Sequence, residues 1–149
     1  MPVLTVSATA HIKDTLVAAG YVFGGAADWA MFIGDQPDAP DRIITLYDSA
    51  GGTPNPRWLL DYPHVKVRVR GGANDYYEVS QQALLLRNLL LGKASYDALN
   101  GNGDRIVAIN AIGDVAFIGK DEQKRPEFVF NLSMIVEPAV TPETQREPL

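Results

Sequence analysis

The segment from His64 to Arg70 constrains the fold most, because valines and basic residues alternate along it. The alternating residues are Val65, Lys66, Val67, Arg68, Val69 and Arg70. Successive side chains of a β-strand point to opposite faces of a sheet, so this pattern predicts a half-buried strand whose valines lie on a core. The chain must therefore build a sheet that is covered on one face.

Two helices and several further strands are predicted around this strand. Apolar residues recur at helical spacing from Ser7 to Ala19, and a second helix is expected from a cap at Asn74 to Leu91. Strands are predicted at residues 29–33, 42–47, 64–70, 105–112, 115–118 and 128–136. This order predicts an α+β fold in which two main helices pack on a largely antiparallel sheet.

The connections carry their own predictions. Gly113 and Asp114 are expected to turn the chain into a hairpin. Residues 34–41 and the long Pro/Gly-rich stretch 48–56 are predicted to be loops. Trp29 and Phe32 are expected in the core. The chain of 149 residues fits one domain over residues 1–137, followed at 138–149 by a mobile or extended tail with three prolines.

Composition excludes several classes of function. The chain has no cysteine and two histidines, which removes disulfides and thiolate chemistry and leaves little for a histidine site. Its net charge of −5 argues against nucleic-acid binding through bulk positive charge. No stretch approaches the roughly 18 apolar residues of a membrane span, and the N-terminus lacks the pattern of a signal peptide. We expect a soluble protein that is made in a cytoplasm.

Two groups of residues are candidates for chemistry. Asp61 and His64 lie where a loop meets a strand and could act as an acid–base pair, or His64 could be an ordinary surface histidine. Asn100, Asn102 and Asp104 have the alternate spacing of a calcium loop, but the closing acidic residue is missing and Asn-Gly pairs favour turns. We therefore expect no catalytic residue, no cofactor and no metal.

The basic row and the residues before it form the candidate interface. Its residues are Arg57, Trp58, Lys66, Arg68 and Arg70. The basic side chains could be a solvated sheet face, or a contact row for an acidic neighbouring subunit or for DNA phosphates. Trp58 could anchor a protein contact or fold back on the core.

Charge is distributed unevenly along the chain. Residues 1–56 carry a net charge of −4, whereas residues 57–70 carry +3. Surfaces of opposite sign on one small domain suit head-to-tail self-association.

An ordered set of features between residues 37 and 137 resembles a known family. The features are Pro37-Asp38, the run 41–48, Gly51-Gly52, the turn ending at Pro56, the run 60–71, a helix that starts near Tyr76 and ends at Gly92, the run 118–121, Arg125-Pro126 and a last strand from Phe128 to Glu137. The chain resembles the minor capsid and tail terminator proteins of siphophages, and the run from Tyr62-Pro63 through Gly71 carries most of this resemblance.

The resemblance implies a structural subunit of a virion. Such a subunit is expected to form a homo-hexameric ring that caps the tail tube, stops its elongation and joins tail to head. Its partners would be the tail tube protein and the head connector or head-closure protein, with DNA passing through the lumen without sequence-specific binding. The 48–56 loop and the tail would be interface arms that order on assembly in the host cytoplasm.

Three alternatives remain open from the sequence. The chain could be another ring component of the phage neck, such as a head-closure or adaptor subunit. It could be a small nucleic-acid-binding domain that uses Lys66, Arg68 and Arg70, or an enzyme that uses Asp61 and His64.

Overall fold

A computed structural model describes residues 7–24, 28–93, 95–141, 144 and 146. Two helices and six strands follow in the order α1 (Ala8–Ala18), β1 (Ala30–Ile33), β2 (Ile43–Gly52), β3 (Tyr62–Arg70), α2 (Tyr76–Leu91), β4 (Tyr96–Asp97), β5 (Arg105–Lys120) and β6 (Pro126–Glu137). The strands form one sheet in the order β1-β2-β3-β6-β5-β4. β1 is parallel to β2 and every other neighbouring pair is antiparallel, which confirms the predicted α+β class.

The core lies between the helices and one face of the sheet. Val65, Val67 and Val69 are fully buried there, as the alternation of β3 predicts. β6, the neighbour of β3, alternates in the same way from Phe128 to Val136. Ile12 and Leu16 of α1 and an apolar stripe of α2 close the core from the other side; the stripe consists of Val79, Ala83, Leu86 and Leu90. Each large side chain buried in this way contributes about 1.5–3 kcal/mol.

Residues 48–52 were predicted to be loop, and that prediction is wrong. β2 continues to Gly52 and pairs with the start of β3, with a register shift between Ser49 and Gly52. The strand passes so close to β3 that a Cβ added to Gly51 would lie 2.2 Å from the carbonyl oxygen of Tyr62. Gly51, which the sequence pattern assigned to a loop, therefore permits this strand pairing because it has no side chain.

The predicted hairpin at Gly113 and Asp114 is also wrong. β5 is one strand of 16 residues, and both of its halves pair with β6. The register shifts between Ile112 and Ala116, and Gly113 has a φ of 71°. The two residues make a bulge, which inserts extra residues while the strand continues.

The helix starts differ from the prediction in their capping. Asp75, not Asn74, immediately precedes α2, and Asn74 takes a left-handed backbone with φ 62°. Ser7 precedes α1 without a side-chain cap bond. The carboxylate of Asp48 instead accepts hydrogen bonds from the Thr9 backbone N–H and hydroxyl, at 3.3 Å and 3.1 Å. A residue of β2 thus satisfies a helix end, which local sequence does not reveal.

Trp29 and Phe32, expected in the core, are half-buried. β6 ends at Glu137. Most of the 138–149 segment lies outside the described residues, and its assignment as a mobile or extended tail stays a prediction, as does the single domain over residues 1–137.

Candidate functional site

Arg57 and Trp58 lie in a turn of residues 53–61 that precedes β3, called here the Trp58 turn. The side-chain carbonyl of Asn55 accepts hydrogen bonds from the backbone N–H groups of Arg57 and Trp58, both at 2.9 Å. Leu59 is fully buried and fixes the turn to the core, whereas Trp58 is 46% exposed. This exposure favours a role of Trp58 as a protein-contact residue over packing of its ring on the core.

A residue of the C-terminal segment also holds this turn. Arg146 donates through Nη1 to the carbonyl oxygens of Asn55 and Leu60, at 2.9 Å and 3.3 Å. The same nitrogen lies 2.9 Å from Oδ1 of Asp61. The Arg146 side chain is 18% exposed. The turn is therefore an organised segment that presents Trp58 and Arg57 to solvent.

The basic row of β3 divides into three environments. Lys66 is exposed. Arg68 is half-buried and donates through Nη2 to a carboxylate oxygen of Glu127, 3.0 Å away on β6. Arg70 is 2% exposed, so the alternative of a solvated sheet face does not hold for this residue. The three basic residues of this row are thus an exposed lysine, an arginine in an ion pair and a buried arginine.

Arg70 is buried because a loop folds over it. Its Nη2 donates to the backbone carbonyls of Pro37 and Pro40, both at 2.8 Å, and to that of Asp38 at 3.3 Å. Its Nε donates to the carbonyl of Asp41 at 3.2 Å. Burial lowers the pKa of Arg70, and the neighbouring charge of Arg125 adds to this effect. The arginine supplies donors that the loop backbone would otherwise have to find in water.

Arg125 holds the same loop through side chains. It donates to Asp121 Oδ2 at 2.7 Å, to the Asp38 carboxylate at 2.9 Å and to the Asp41 carboxylate at 3.1 Å. A further bond of 2.6 Å reaches the carbonyl of Asp38. The Arg125 side chain is 4% exposed. We call Arg70, Arg125 and the loop 34–41 that they bind the arginine clamp.

The clamp changes the acidity of its own carboxyl groups. The hydrogen bond from Arg125, with a second from Gln123, lowers the pKa of Asp38. Burial would raise the pKa of Asp121, but the hydrogen bonds from the backbone and side chain of Arg125 outweigh it, and the pKa is lowered. Its carboxylate partners raise the pKa of Arg125 against the effect of burial. Each group is therefore held in its charged form.

Sequence reasoning missed Arg125, the centre of the clamp. Arg125 and Asp38 are 87 positions apart, so no local pattern connects them. Both residues belong to the features on which the family resemblance rests, as Arg125-Pro126 and Pro37-Asp38. Their place in the family features could have drawn attention to both residues, but it does not indicate that they contact each other.

The outer face of the sheet, on the side away from the helices, carries a shallow cleft. It has a volume of about 300 Å³ and is lined by Tyr47, Asp48, Ser49, Lys66 and Arg68. Thr45 pairs with Arg68 across the two strands. Thr45 Oγ1 and Arg68 Nε are buried without a hydrogen-bond partner among the described residues. Such groups mark a place where a polar group of a partner or a water would fit.

The candidate acid–base pair is not assembled by the described residues. His64 sits within β3 between Ser49 and Ser133, while Asp61 contacts Arg146 and bridges to Val136. The close histidine–carboxylate contact is instead the buried pair His11–Asp104, at 2.9 Å.

Asp104 is engaged within the fold rather than open to a cation. Its carboxylate also accepts bonds from Asn102 Nδ2 at 3.0 Å and from the backbone N–H of Ala139 at 2.9 Å. Asn100 and Asn102 make short-range turn bonds of 3.0 Å. Within the described part of the chain, no group of three or more His, Cys, Asp or Glu residues could hold a metal ion.

The chain is therefore an α+β domain in which arginine side chains hold surface loops in place. The model of the bacteriophage tail terminator protein family matches residues 17–138, and the chain belongs to that family. The family places the chain among the structural proteins of the phage tail and in the virion. A comparison with curated proteins finds no match. Neither described helix has the length and apolar character that a membrane span requires.

Proposed function

We propose that the chain is the tail terminator subunit of a tailed phage and acts as a homo-hexameric ring. The ring caps the tail tube, stops its elongation and forms the joining surface between tail and head. The match to the tail terminator family over residues 17–138 carries this proposal. The role is structural and not enzymatic. The partners are the tail tube protein and the head connector or head-closure protein, and DNA passes through the lumen without sequence-specific contacts.

The charges at the two ends of β3 support head-to-tail contact between copies. β3 has nine residues and spans about 27 Å. One end carries the clamp, where the exposed charged side chains are mainly acidic. The acidic residues are Asp35, Asp38, Asp41 and Glu122, and the basic residue among them is Lys124. The Trp58 turn lies at the other end, with Arg57 exposed beside the tryptophan. A heterologous contact repeated around a ring brings such unlike ends together.

The interface proposed from the sequence changes in one respect. Arg57, Trp58, Lys66 and Arg68 remain candidates for direct contact, because each reaches solvent at least in part. Arg70 supports the interface indirectly, since it holds the loop that carries the acidic side chains. The complementary surface is then the acidic corner of the next copy, in the N-terminal part of its chain.

Size and function of the purified protein test the proposal together. We expect light scattering after size exclusion to give particles of six times 16.2 kDa, with rings in negative-stain images. Added to growing tail tubes, the protein should stop their elongation. A particle that stays monomeric and neither binds nor caps tubes would contradict the proposal. Binding to DNA-filled heads that lack tails, without binding to tubes, would indicate another neck component instead.

Charge reversal tests the contact surface. The double variant Arg57→Glu and Lys66→Glu should weaken self-association and reverse its response to salt, because repulsion replaces attraction across the interface and salt screens that repulsion. Lys93→Glu, an exposed change on the segment after α2, is the matched control. Equal association of the two variants would contradict the surface while leaving ring formation intact.

A further inference from the structure

Among the residues that the structure describes, the outer edge of β5 has no pairing partner over most of its length. On one side β5 pairs with β6 along the whole strand, from Arg105 to Lys120. On the other side β4 pairs with Arg105 and Ile106. From Val107 to Lys120, no described residue forms a backbone pairing with that second side. An open edge presents a row of backbone donors and acceptors that another strand can bind.

This edge has little of the protection that open edges commonly carry. Residues 107–119 contain no proline and one charged residue, Asp114. Ile112, Phe117 and Ile118 are each more than 40% exposed. The register shifts along β5 bend the strand locally, but Ala108 to Ile112 pair with β6 in continuous register. A regular, partly apolar open segment fits a partner strand better than it fits water.

The opposite side of the same sheet also has an open segment. β1 pairs with Ile43 to Leu46 of β2. Beyond that point, from Tyr47 to Gly52, β2 pairs with β3 on one side and with no described residue on the other. The described part of the chain thus carries one open segment at each side of its sheet, and the two segments are different. This is the arrangement that a heterologous contact between identical copies requires.

Strand direction makes the two segments compatible. Antiparallel pairing runs from β2 to β3, from β3 to β6 and from β6 to β5, so β2 and β5 run in opposite directions. Rotation about a ring axis along the strands keeps the direction of every strand. The β5 edge of one copy therefore meets the β2 edge of the next in antiparallel orientation, which is the more stable pairing.

We propose that copies of this chain join by strand addition, with part of the β5 edge between residues 107 and 120 pairing with the six residues 47–52 of β2 in the next copy. The sheet then continues from subunit to subunit around the ring. This inference rests on the proposed ring and adds a mode of contact. It is an alternative to direct contact between the two ends of β3, because strands that run along the ring axis carry those ends to opposite faces of the ring. The outer-face cleft lies next to the β2 segment, so a neighbouring copy would also cover the exposed Lys66.

The absence of cysteine permits a direct test by cross-linking. Ala50, Ala111 and Ala116 are exposed on the two segments, and their replacement by cysteine is nearly neutral in size. The double variants are Ala50→Cys with Ala111→Cys and Ala50→Cys with Ala116→Cys. Within one chain these positions are separated by three strand spacings, about 14 Å, which is too far for a disulfide. Any disulfide between unlike positions therefore joins two copies.

The assembled protein is oxidised, alone and on purified tail tubes, and its disulfide-linked species are separated on a non-reducing gel. At least one double variant should form a ladder of disulfide-linked chains on a non-reducing gel, ending at six, while each single variant stops at dimers. Ala50→Cys with Gln81→Cys, an exposed helix position, is the matched control and should form at least tenfold less of the higher species.

Three outcomes would overturn the inference. Rings that form normally but cross-link no better than the control would contradict strand addition and leave the proposed ring standing. Absence of both rings and cross-links would remove the ring itself. Protection of the thiol at residue 111 or 116 from maleimide only when tail tubes are bound, and not in the free ring, would assign the edge to that partner instead. As an independent check, Ile112→Lys should reduce ring formation several-fold without lowering the thermal midpoint of the unassembled chain.

Discussion

The irregular segments at the two ends of β3 differ in the burial of their own arginines. In the arginine clamp, Arg70 and Arg125 point inward and are 2% and 3% exposed. Their donors reach the backbone and carboxylates of the loop 34–41. In the Trp58 turn, Arg57 is exposed and its side chain makes no bond to the described residues, while Trp58 next to it is 46% exposed. The same residue type builds the fold at one end and its surface at the other.

This difference indicates how burial divides structural from contact roles. A buried guanidinium must find partners within its own chain, since an unpaired buried charge is strongly destabilising. An exposed guanidinium beside an exposed aromatic ring has no such requirement and remains available to a partner. The clamp should therefore govern stability, and the turn should govern association.

Loss of Arg125 should give the largest effect on stability. Arg125→Ala removes the common donor of the Asp38 carbonyl and three carboxylates, so we expect the free energy of unfolding to fall by about 2 kcal/mol. Urea denaturation followed by circular dichroism measures this change. Arg57→Ala, the matched loss of an arginine at the other end, should stay within about 0.5 kcal/mol of wild type. Equal losses in the two variants would contradict the division between clamp and turn.

Loss of the exposed indole should give the converse result. Trp58→Ala is expected to leave the urea midpoint nearly unchanged but to weaken self-association by about 2 kcal/mol, or roughly thirtyfold, because an anchor of this type dominates an interface. Sedimentation equilibrium measures the association. Tyr77→Ala removes a more exposed aromatic, 81% accessible, from α2 and serves as the control. A Trp58 variant that associates like the Tyr77 variant would remove Trp58 from the interface.

Loss of Arg146 should produce a smaller and more local change. Arg146→Ala removes the donor to the Asn55 and Leu60 carbonyls, and we expect the turn to open more often by about 1 kcal/mol, or fivefold. Hydrogen exchange of the Arg57 and Trp58 amides, which bond to Asn55, measures this opening. Arg87→Ala removes a positive charge from α2 and should not affect these amides. Unchanged exchange in the Arg146 variant would show that Asn55 and Leu59 hold the turn without it.

The sequence predicts what depends on periodicity. The alternation of β3 and β6 and the stripe of α2 place their apolar residues on the core, because a sheet and a helix each repeat geometrically. The family resemblance, carried by features between residues 37 and 137, agrees with the family match over residues 17–138.

What the sequence does not predict depends on distant partners. Arg70 continues the alternation of Lys66 and Arg68, and its burial comes from a loop about 30 positions earlier. Gly51 and Gly113 lie in stretches whose composition is typical of turns. In the structure, Gly51 permits the close approach of β2 to β3, and Gly113 lies in a bulge of β5. Both strands continue past these glycines because β3 and β6 are long enough to pair with them. In each case the neighbour, and not the residue itself, determines the outcome.

The smallest expected effect is a pH dependence of stability that involves the clamp and not the turn. Contacts with Arg125 lower the pKa of Asp38 and Asp121 in the folded state below the ordinary value of 3.8. A lowered folded pKa stabilises the fold above the unfolded pKa, and this contribution is lost as the pH falls through the folded pKa. The difference in urea midpoint between wild type and Arg125→Ala should therefore be constant from pH 7 to about 5 and should narrow below pH 3.8. Arg57→Ala should show no such narrowing, because Arg57 contacts no carboxylate among the described residues. A gap between wild type and Arg125→Ala that persists undiminished to pH 3 would mean that the clamp acts mainly through its bonds to backbone carbonyls, which do not titrate.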